Sequence, residues 1–372
     1  MKRMFYYGTL CYLPLLELVI GRPLRAQDTK PATLSGFEVS WAKDQIFPYI
    51  EKSEGSYASG IIFEGSEEDV ARLNFYEGGF HYDLHEICPE GESETVDVYI
   101  PQPGHWSAGA PWVLEDFVAG YGEITLSAAR DAMALFGKVS AEEMAKRLPM
   151  FRARAAKIQS RFYETPIDLR SGLSEADFEV IDHRRPYDNF FAFDEINLHH
   201  KKFNGDVSPE IERGVFISSD AVIVLPYDAN RDRVLLLEQF RPGPVIRGDQ
   251  TPWLLEAVAG RIDAGETPEE AAHRELKEES GIAANSLELI SRSYPSPGAS
   301  TEFYHHYLAL CDLTSADDIY AGLDSEDEDI RAITISFDQL MNAIKTGEIN
   351  VAPLVLSALW LSQNRERLRS EA

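Results

Sequence analysis

The chain has 372 residues, 44% of them apolar and 11% aromatic, which is enough to bury two cores and too apolar for a disordered chain. A formal net charge of -27 opposes general affinity for nucleic acid or an anionic membrane, because the long-range field repels polyanions. Cys11, Cys88 and Cys311 are widely separated and indicate neither a disulfide framework nor a zinc cluster, which fits a reducing cytoplasm.

The opening run MKRMFYYGTLCYLPLLELVIG places Lys2 and Arg3 before apolar residues, as a secretory signal would. Pro14 and Glu17 interrupt it and no small-x-small cleavage site follows, so it reads as a strand and then a helix. No segment of the chain is long and apolar enough to cross a bilayer. Further strands are expected at Ala32 to Val39, Tyr57 to Phe63 and Asp83 to Ile87, with a short helix from near Ser66 to Glu77-Gly78-Gly79.

Two short motifs stand in this region: YGTL at Tyr7 to Leu10, and LNFYEG at Leu73 to Gly78. They resemble the YGxL turn and LDxYEG-type segment of the gamma-glutamylcyclotransferase-like fold, which implies a mixed α+β, barrel-like domain. In active members the backbone of the turn, here Tyr7, Gly8, Thr9 and Leu10, holds a γ-glutamyl group. The glutamate of YEG, here Glu77, moves a proton as the amine attacks the side-chain carbonyl. Asn74 departs from the aspartate usual in the motif. Three roles stay open: cyclotransferase activity, a ligand-sensing module, and a dimer-assembly module without turnover.

A helical joint follows. Ser140 and Glu143 form a capping box ahead of a segment carrying Lys146, Arg147, Arg152, Arg154, Lys157 and Arg161. This basic run is expected to lie against acidic surfaces of the protein itself, with Pro149 breaking or kinking its helix. Thr165-Pro166 punctuates the end, and the expected domains are 1–160 and 168–372.

The second domain reads as strand, turn, strand, helix. Ala221 to Leu225 and Val234 to Leu237 form a hairpin across Asp228-Ala-Asn-Arg-Asp232; strands follow at Glu256 to Ala259, Leu287 to Tyr294 and Phe303 to Cys311. Helices are expected at Phe337 to Thr346 and Ala352 to Leu368. Between them lies GRIDAGETPEEAAHRELKEESGI, residues 260–282. Thr267 is a good N-cap, Pro268 suits the first helical position, Glu270 completes a capping box, and Gly281 suits a left-handed C′ residue. Glu275, Glu278 and Glu279 then project from adjoining parts of one helix face, where Arg274 alone cannot neutralise them. Hard divalent cations with oxygen ligands remedy that repulsion, and they also let an acidic protein hold a small anionic substrate. Ala272 and Leu276 face the other way, toward a sheet.

The 260–282 stretch matches the Nudix box at every position. With VLPYDANRDRVLLLEQFR, TPWLLEAVAGRIDAGE, YPSPGASTE and GLDSEDEDIR, the region from 185 to 368 resembles the ADP-ribose pyrophosphatase branch of the Nudix hydrolases. The resemblance implies an α/β/α sandwich, a homodimer, and magnesium-dependent cleavage of ADP-ribose to AMP and ribose 5-phosphate, with manganese as an alternative metal. Another nucleoside diphosphate sugar or a dinucleotide is the alternative substrate. The implied metal ligands are the Ala259 carbonyl, Glu275, Glu279 and Glu328, with Glu278 counted as both ligand and catalytic residue. Glu326 would be the general base. Arg241 would lie near the diphosphate and Glu302 on the terminal ribose. Arg213 would come from the partner subunit, and Phe190 or Phe191 would stack on the base. Phe216, Ser218 and Ser219 stand where charged residues are common in the family. The two domains in this order resemble bacterial tellurite-resistance-associated Nudix proteins, yet no residue here offers a tellurite chemistry.

Overall fold

Apolar residues in the first half of the chain alternate at strand spacing, with helices between the strands. The computed structural model, which describes residues 2–160, 165–314, 319–322 and 328–372, shows β1 (Lys2–Tyr6), α1 (Leu13–Ile20), β2 (Thr29–Ala42), β3 (Pro48–Gly65) and α2 (Glu67–Glu77). Next come β4 (Tyr82–Ile87), β5 (Val96–Pro101), β6 (Ala108–Pro111), α3 (Leu114–Met133) and α4 (Ala141–Ser160). The strands form a six-stranded sheet in the order β4-β5-β1-β3-β2-β6, antiparallel except for the β1·β5 pair. Phe5, Leu34, Phe37, Ile50, Ile62, Val96 and Val98 close one core on this sheet. β2 and β3 extend well beyond the sequence expectation, because polar residues continue the ladder past the apolar segments.

Pro149 was expected to break or kink the basic helix, and it does not end it. Helix α4 continues through Pro149, and its basic residues divide between surface and interior. Arg147 pairs with Glu143 on the outside, whereas Arg154 is 2% exposed and meets Asp131 at 3.2 Å. Arg161 lies outside the described residues.

Contacts divide the chain into units Met1–Tyr163 and Glu164–Ala372. The second begins with an antiparallel three-stranded sheet: β7 (Phe178–Asp188), β8 (Ala192–His200) and β9 (Ile211–Ile217). Then follow β10 (Ala221–Asp228), β11 (Arg233–Phe240), α5 (Pro242–Arg247), β12 (Trp253–Glu256), β13 (Val258–Arg261) and α6 (Pro268–Ser280). The chain ends with β14 (Ser286–Ser293), β15 (Tyr304–Leu310), β16 (Ile319–Ala321), β17 (Ile330–Ser336), α7 (Phe337–Thr346) and α8 (Ala352–Ser370).

The larger sheet runs β14-β15-β10-β11-β17-β16, with β12 on β11 and β13 on β10. Alternation sends its side chains to two cores. Val222, Val224, Leu235 and Leu237 meet Ala271, Ala272 and Leu276 of α6. Ile223, Leu225, Val234 and Leu236 meet Leu340 of α7 and Leu354, Ala358 and Leu361 of α8. This is the α/β/α layering the sequence implied. The strand expected at 256–259 is two strands, since the chain leaves β11 after Glu256 and joins β10 from Val258. That switch sets Ala259 and Gly260 against α6. Leu276 is wholly buried between α6 and the sheet. Leu276→Ala is expected to cost about 2–5 kcal/mol in urea unfolding of this unit; a loss below about 1 kcal/mol would contradict the packing.

Candidate active site

Helix α6 begins and ends as its sequence requires. The Thr267 hydroxyl accepts from the Glu270 amide at 3.2 Å, and the Glu270 carboxylate accepts from the Thr267 amide at 2.8 Å. Gly281 closes the helix at φ 69°. This fixes the phase of the acidic face.

Arg274 organises that face. Its guanidinium donates to both Glu266 oxygens at 2.8 Å, to Glu275 at 2.6 Å, to Glu278 at 3.2 Å and to the Arg261 carbonyl at 2.9 Å. The two-pronged hold on Glu266 ties the loop before α6 to the helix. Spacing pointed to the Glu278 pair; it gave no sign of the Glu266 clamp, which spans a loop.

Glu279 is 3% exposed and accepts from the Ala259 amide at 3.0 Å. Burial holds its carboxyl well above the usual range, and the charges of Glu275 and Glu328 push the same way. Burial likewise pushes Glu275 up to about 7 against the pull of Arg274. A Cβ on Gly260 would stand 1.9 Å from Glu275 Cδ, so this backbone approach admits no side chain.

The family implies a divalent metal, and the donors fit one: all are oxygens, two are carboxylates whose ionisation burial opposes, and a cation would favour the ionised form. Among the described residues no three His, Cys, Asp or Glu side chains already form a cage. Arg274 holds Glu275 and Glu278 instead. Glu328 lies close enough to act on Glu279 through its charge. Glu326 lies outside the described residues.

The flanking residues gather at β11, β12 and β15. Arg241 pairs with Glu256 at 2.7 Å. Glu302 accepts from the Ser218 hydroxyl at 3.3 Å and from the Tyr304 hydroxyl at 3.0 Å. Glu256 and Arg241 both act on the Tyr304 hydroxyl through their charges, so Arg241 and Glu302 share one neighbourhood. Ser218 also anchors the SPGASTE loop, its amide donating to Thr301 Oγ1 at 3.0 Å. Phe190 is half exposed and lies under the Arg261 guanidinium, 4.3 Å from its ring centroid. Phe191 packs on Phe216, and the same guanidinium lies 5.6 Å from its ring centroid. Arg213 is exposed on β9 and donates to the Glu212 carbonyl at 2.7 Å; it is not brought to the other site residues by any described hydrogen bond or ion pair. Glu256, Arg261 and Tyr304 were invisible to spacing, because each acts across strands.

Within the first unit, Tyr7, Gly8, Thr9, Leu10 and Glu77 line one cavity of about 80 Å³. A Cβ on Gly8 would meet Pro48 Cγ at 2.2 Å, so the turn needs glycine for close approach. Tyr7 donates to the Tyr99 carbonyl at 2.8 Å, and Tyr99 donates to Asn74. Burial pushes Glu77 up to about 7 while the charge of Arg152 pulls it down.

Residues 218–355 match a family profile described as NUDIX domain, and residues 4–116 match one described as Gamma-glutamyl cyclotransferase, AIG2-like. The ADP-ribose pyrophosphatase of Escherichia coli (strain K12) is 35% identical over 206 residues, 55% of this chain and 98% of that protein. That of Haemophilus influenzae is 33% identical over 211 residues, 56% of this chain and 97% of that protein. The GDP-mannose pyrophosphatase of Enterobacter sp. (strain 638) is 33% identical over 171 residues, 46% of this chain and 87% of that protein. The chain belongs to the Nudix hydrolase family and carries an AIG2-like gamma-glutamyl cyclotransferase-family domain at its amino end. It is an enzyme that hydrolyses nucleoside diphosphate sugars.

Gly260→Ala must displace Glu275 and is expected to lower kcat/KM for nucleotide-sugar hydrolysis at least tenfold with little change in unfolding midpoint; retained activity would show that the approach is dispensable. For Glu77, folding raises the pKa from 4.5 to about 7. The native unit therefore keeps a proton that the unfolded chain releases, and stability falls as pH rises through this window. Glu77→Gln is expected to flatten that slope in calorimetry of the amino-terminal transition, and an unchanged slope would assign it to another group.

Proposed function

We propose that the carboxyl-terminal unit hydrolyses ADP-ribose to AMP and ribose 5-phosphate with magnesium, manganese substituting, and that it works as a homodimer. The observation that carries the reading is the fixed Glu302 carboxylate in one neighbourhood with Arg241, whose charge reaches Glu279 of the acidic helix. A carboxylate gripped by Ser218 and Tyr304 supports acceptance from sugar hydroxyls, and a cation such as Arg241 supports a diphosphate ligand. Relatives named ADP-ribose pyrophosphatase support the same substrate.

When bound, the divalent metal would shield the phosphate oxygens and acidify water, held by Glu275, Glu279, Glu328 and the Ala259 carbonyl with Glu278 beside them. Glu326 would take a proton from the attacking water, whose oxygen bonds to one phosphorus as the bridging P–O bond breaks. Arg241 would steady the diphosphate and Phe190 would stack on the base. Arg213 has no hydrogen bond or ion pair with the site's other residues among the described residues and would reach the site from the partner. The exposed Phe178, Val180, Ile181 and Tyr187 of β7 support an interface there.

Purified protein with magnesium should release AMP from ADP-ribose at least tenfold more efficiently than it cleaves GDP-mannose, and chelation should stop it. Glu279→Gln should lower kcat at least a hundredfold. Preference for GDP-mannose would overturn the substrate, and equal rates for wild type and variant would overturn the site. Sedimentation of a single chain would overturn the dimer.

A further inference from the structure

Strand β11 supplies a buried donor with no role in the site as described so far. Gln239 is 6% exposed, and its Nε2 has no hydrogen-bond partner among the described residues. Alternation along β11 puts its side chain on the face of Leu235 and Leu237, the face that meets α6. The neighbouring strands agree. Ile330 of β17 pairs with Gln239 and belongs to the same core as α6, while Leu254 of β12 pairs with it from the other side. Past Leu237, the floor beneath the acidic helix therefore turns polar at Gln239.

Charged groups stand around this position. Glu256 pairs with Leu237 across the β11·β12 ladder, and Arg241 lies two residues beyond Gln239, so the 2.7 Å ion pair between them spans the step at Gln239 and Leu254. Glu328 lies two residues before Ile330, and Glu328 and Arg241 both act on the Glu279 carboxylate through their charges. A buried N–H with nothing to bond is costly, and an oxygen brought in by a ligand relieves that cost. The type of side chain narrows which oxygen. A lysine here would repel a divalent metal and an acid would repel a diphosphate, whereas a primary amide donates without net charge.

We propose that Gln239 is a substrate-binding residue of the hydrolytic site, its Nε2–H donating to a non-bridging oxygen of the substrate diphosphate while Arg241 meets the same group. The diphosphate competes with Glu256 for Arg241, and as that pair opens Gln239 Nε2 gains its partner. Every nucleoside diphosphate sugar carries a diphosphate, so Gln239 serves the class and does not choose the base or the sugar. The proposal rests on the place given to Arg241 at the diphosphate and is independent of a preference for ADP-ribose.

Calorimetric binding of methylene-bridged, non-hydrolysable analogues of ADP-ribose and GDP-mannose to the full chain with magnesium tests it, together with the unfolding midpoint of the unliganded protein. Gln239→Met keeps the length of the side chain and removes the donor. It is expected to weaken the analogue that wild type binds more tightly by about tenfold, and to leave the unliganded midpoint equal or raised, because the variant no longer buries an unpaired N–H. Gln239→Glu, which keeps the shape and exchanges a donor for an acceptor, should weaken the same analogue further. A residue that only packs would give the opposite pattern, a lowered midpoint with unchanged affinity. Arg241→Met should also weaken the analogue; if it does not while Gln239→Met does, the place given to Arg241 fails and that of Gln239 stands. Wild-type affinity in either Gln239 variant, an unliganded midpoint for Gln239→Met below that of wild type, or no binding of either analogue to wild type at millimolar concentration would overturn the proposal.

Discussion

The carboxyl-terminal site depends on the Arg274 guanidinium. One planar cation meets Glu266, Glu275, Glu278 and the Arg261 carbonyl, joining the loop before α6, the helix itself and the end of β13. Without it the helix would present repelling carboxylates beside a backbone that cannot retreat, because Gly260 already touches Glu275. Arg274 is thus a resident counter-charge that sets side-chain positions, whereas Glu279, buried against the Ala259 amide, lies outside its grasp. Such a division lets one carboxylate stay fixed while its neighbours exchange partners.

Two layers of packing hold this arrangement in place. The alternating residues of β10 and β11 engage α6 on one face and α7 with α8 on the other, so the acidic helix rests on a sheet buried from both sides. The change of partner strand at Ala257 then delivers Ala259 to the helix. The site is therefore built from a strand switch and a capped helix, both regular elements, with the proposed substrate contacts on β9, at the start of α5 and on the SPGASTE loop.

Much of this was legible in the sequence because local signals agreed. Thr267, Pro268, Glu270 and Gly281 define α6 without reference to the rest of the chain, and alternation in β10 and β11 assigns their two faces. What could not be read were contacts across elements: the Glu266 clamp, the Arg241–Glu256 pair, the Arg261–Phe190 stack and the Ser218 grip on Glu302. Ser218 is instructive, since it looked like a missing charge and is instead a hydroxyl that orients one. Composition said least about α4, where a basic stretch was expected to lie as a whole against acidic surfaces. Helical phase turns Arg152 and Arg154 inward while Arg147 stays out, a distinction that net charge cannot express.

The completion of the amino-terminal cavity by α3 and α4 bears on how such a domain can be moved between proteins. The matched segment stops at residue 116, one position before Phe117, the first wall residue supplied from beyond it. A recombination event that joined the chain at that border would transplant the turn and Glu77 but leave the cavity open to water and without Arg152 of α4. The heritable module is therefore longer than the shared motif. Its far border falls after α4, which makes these helices part of the first domain's inheritance as well as its covalent path to the second.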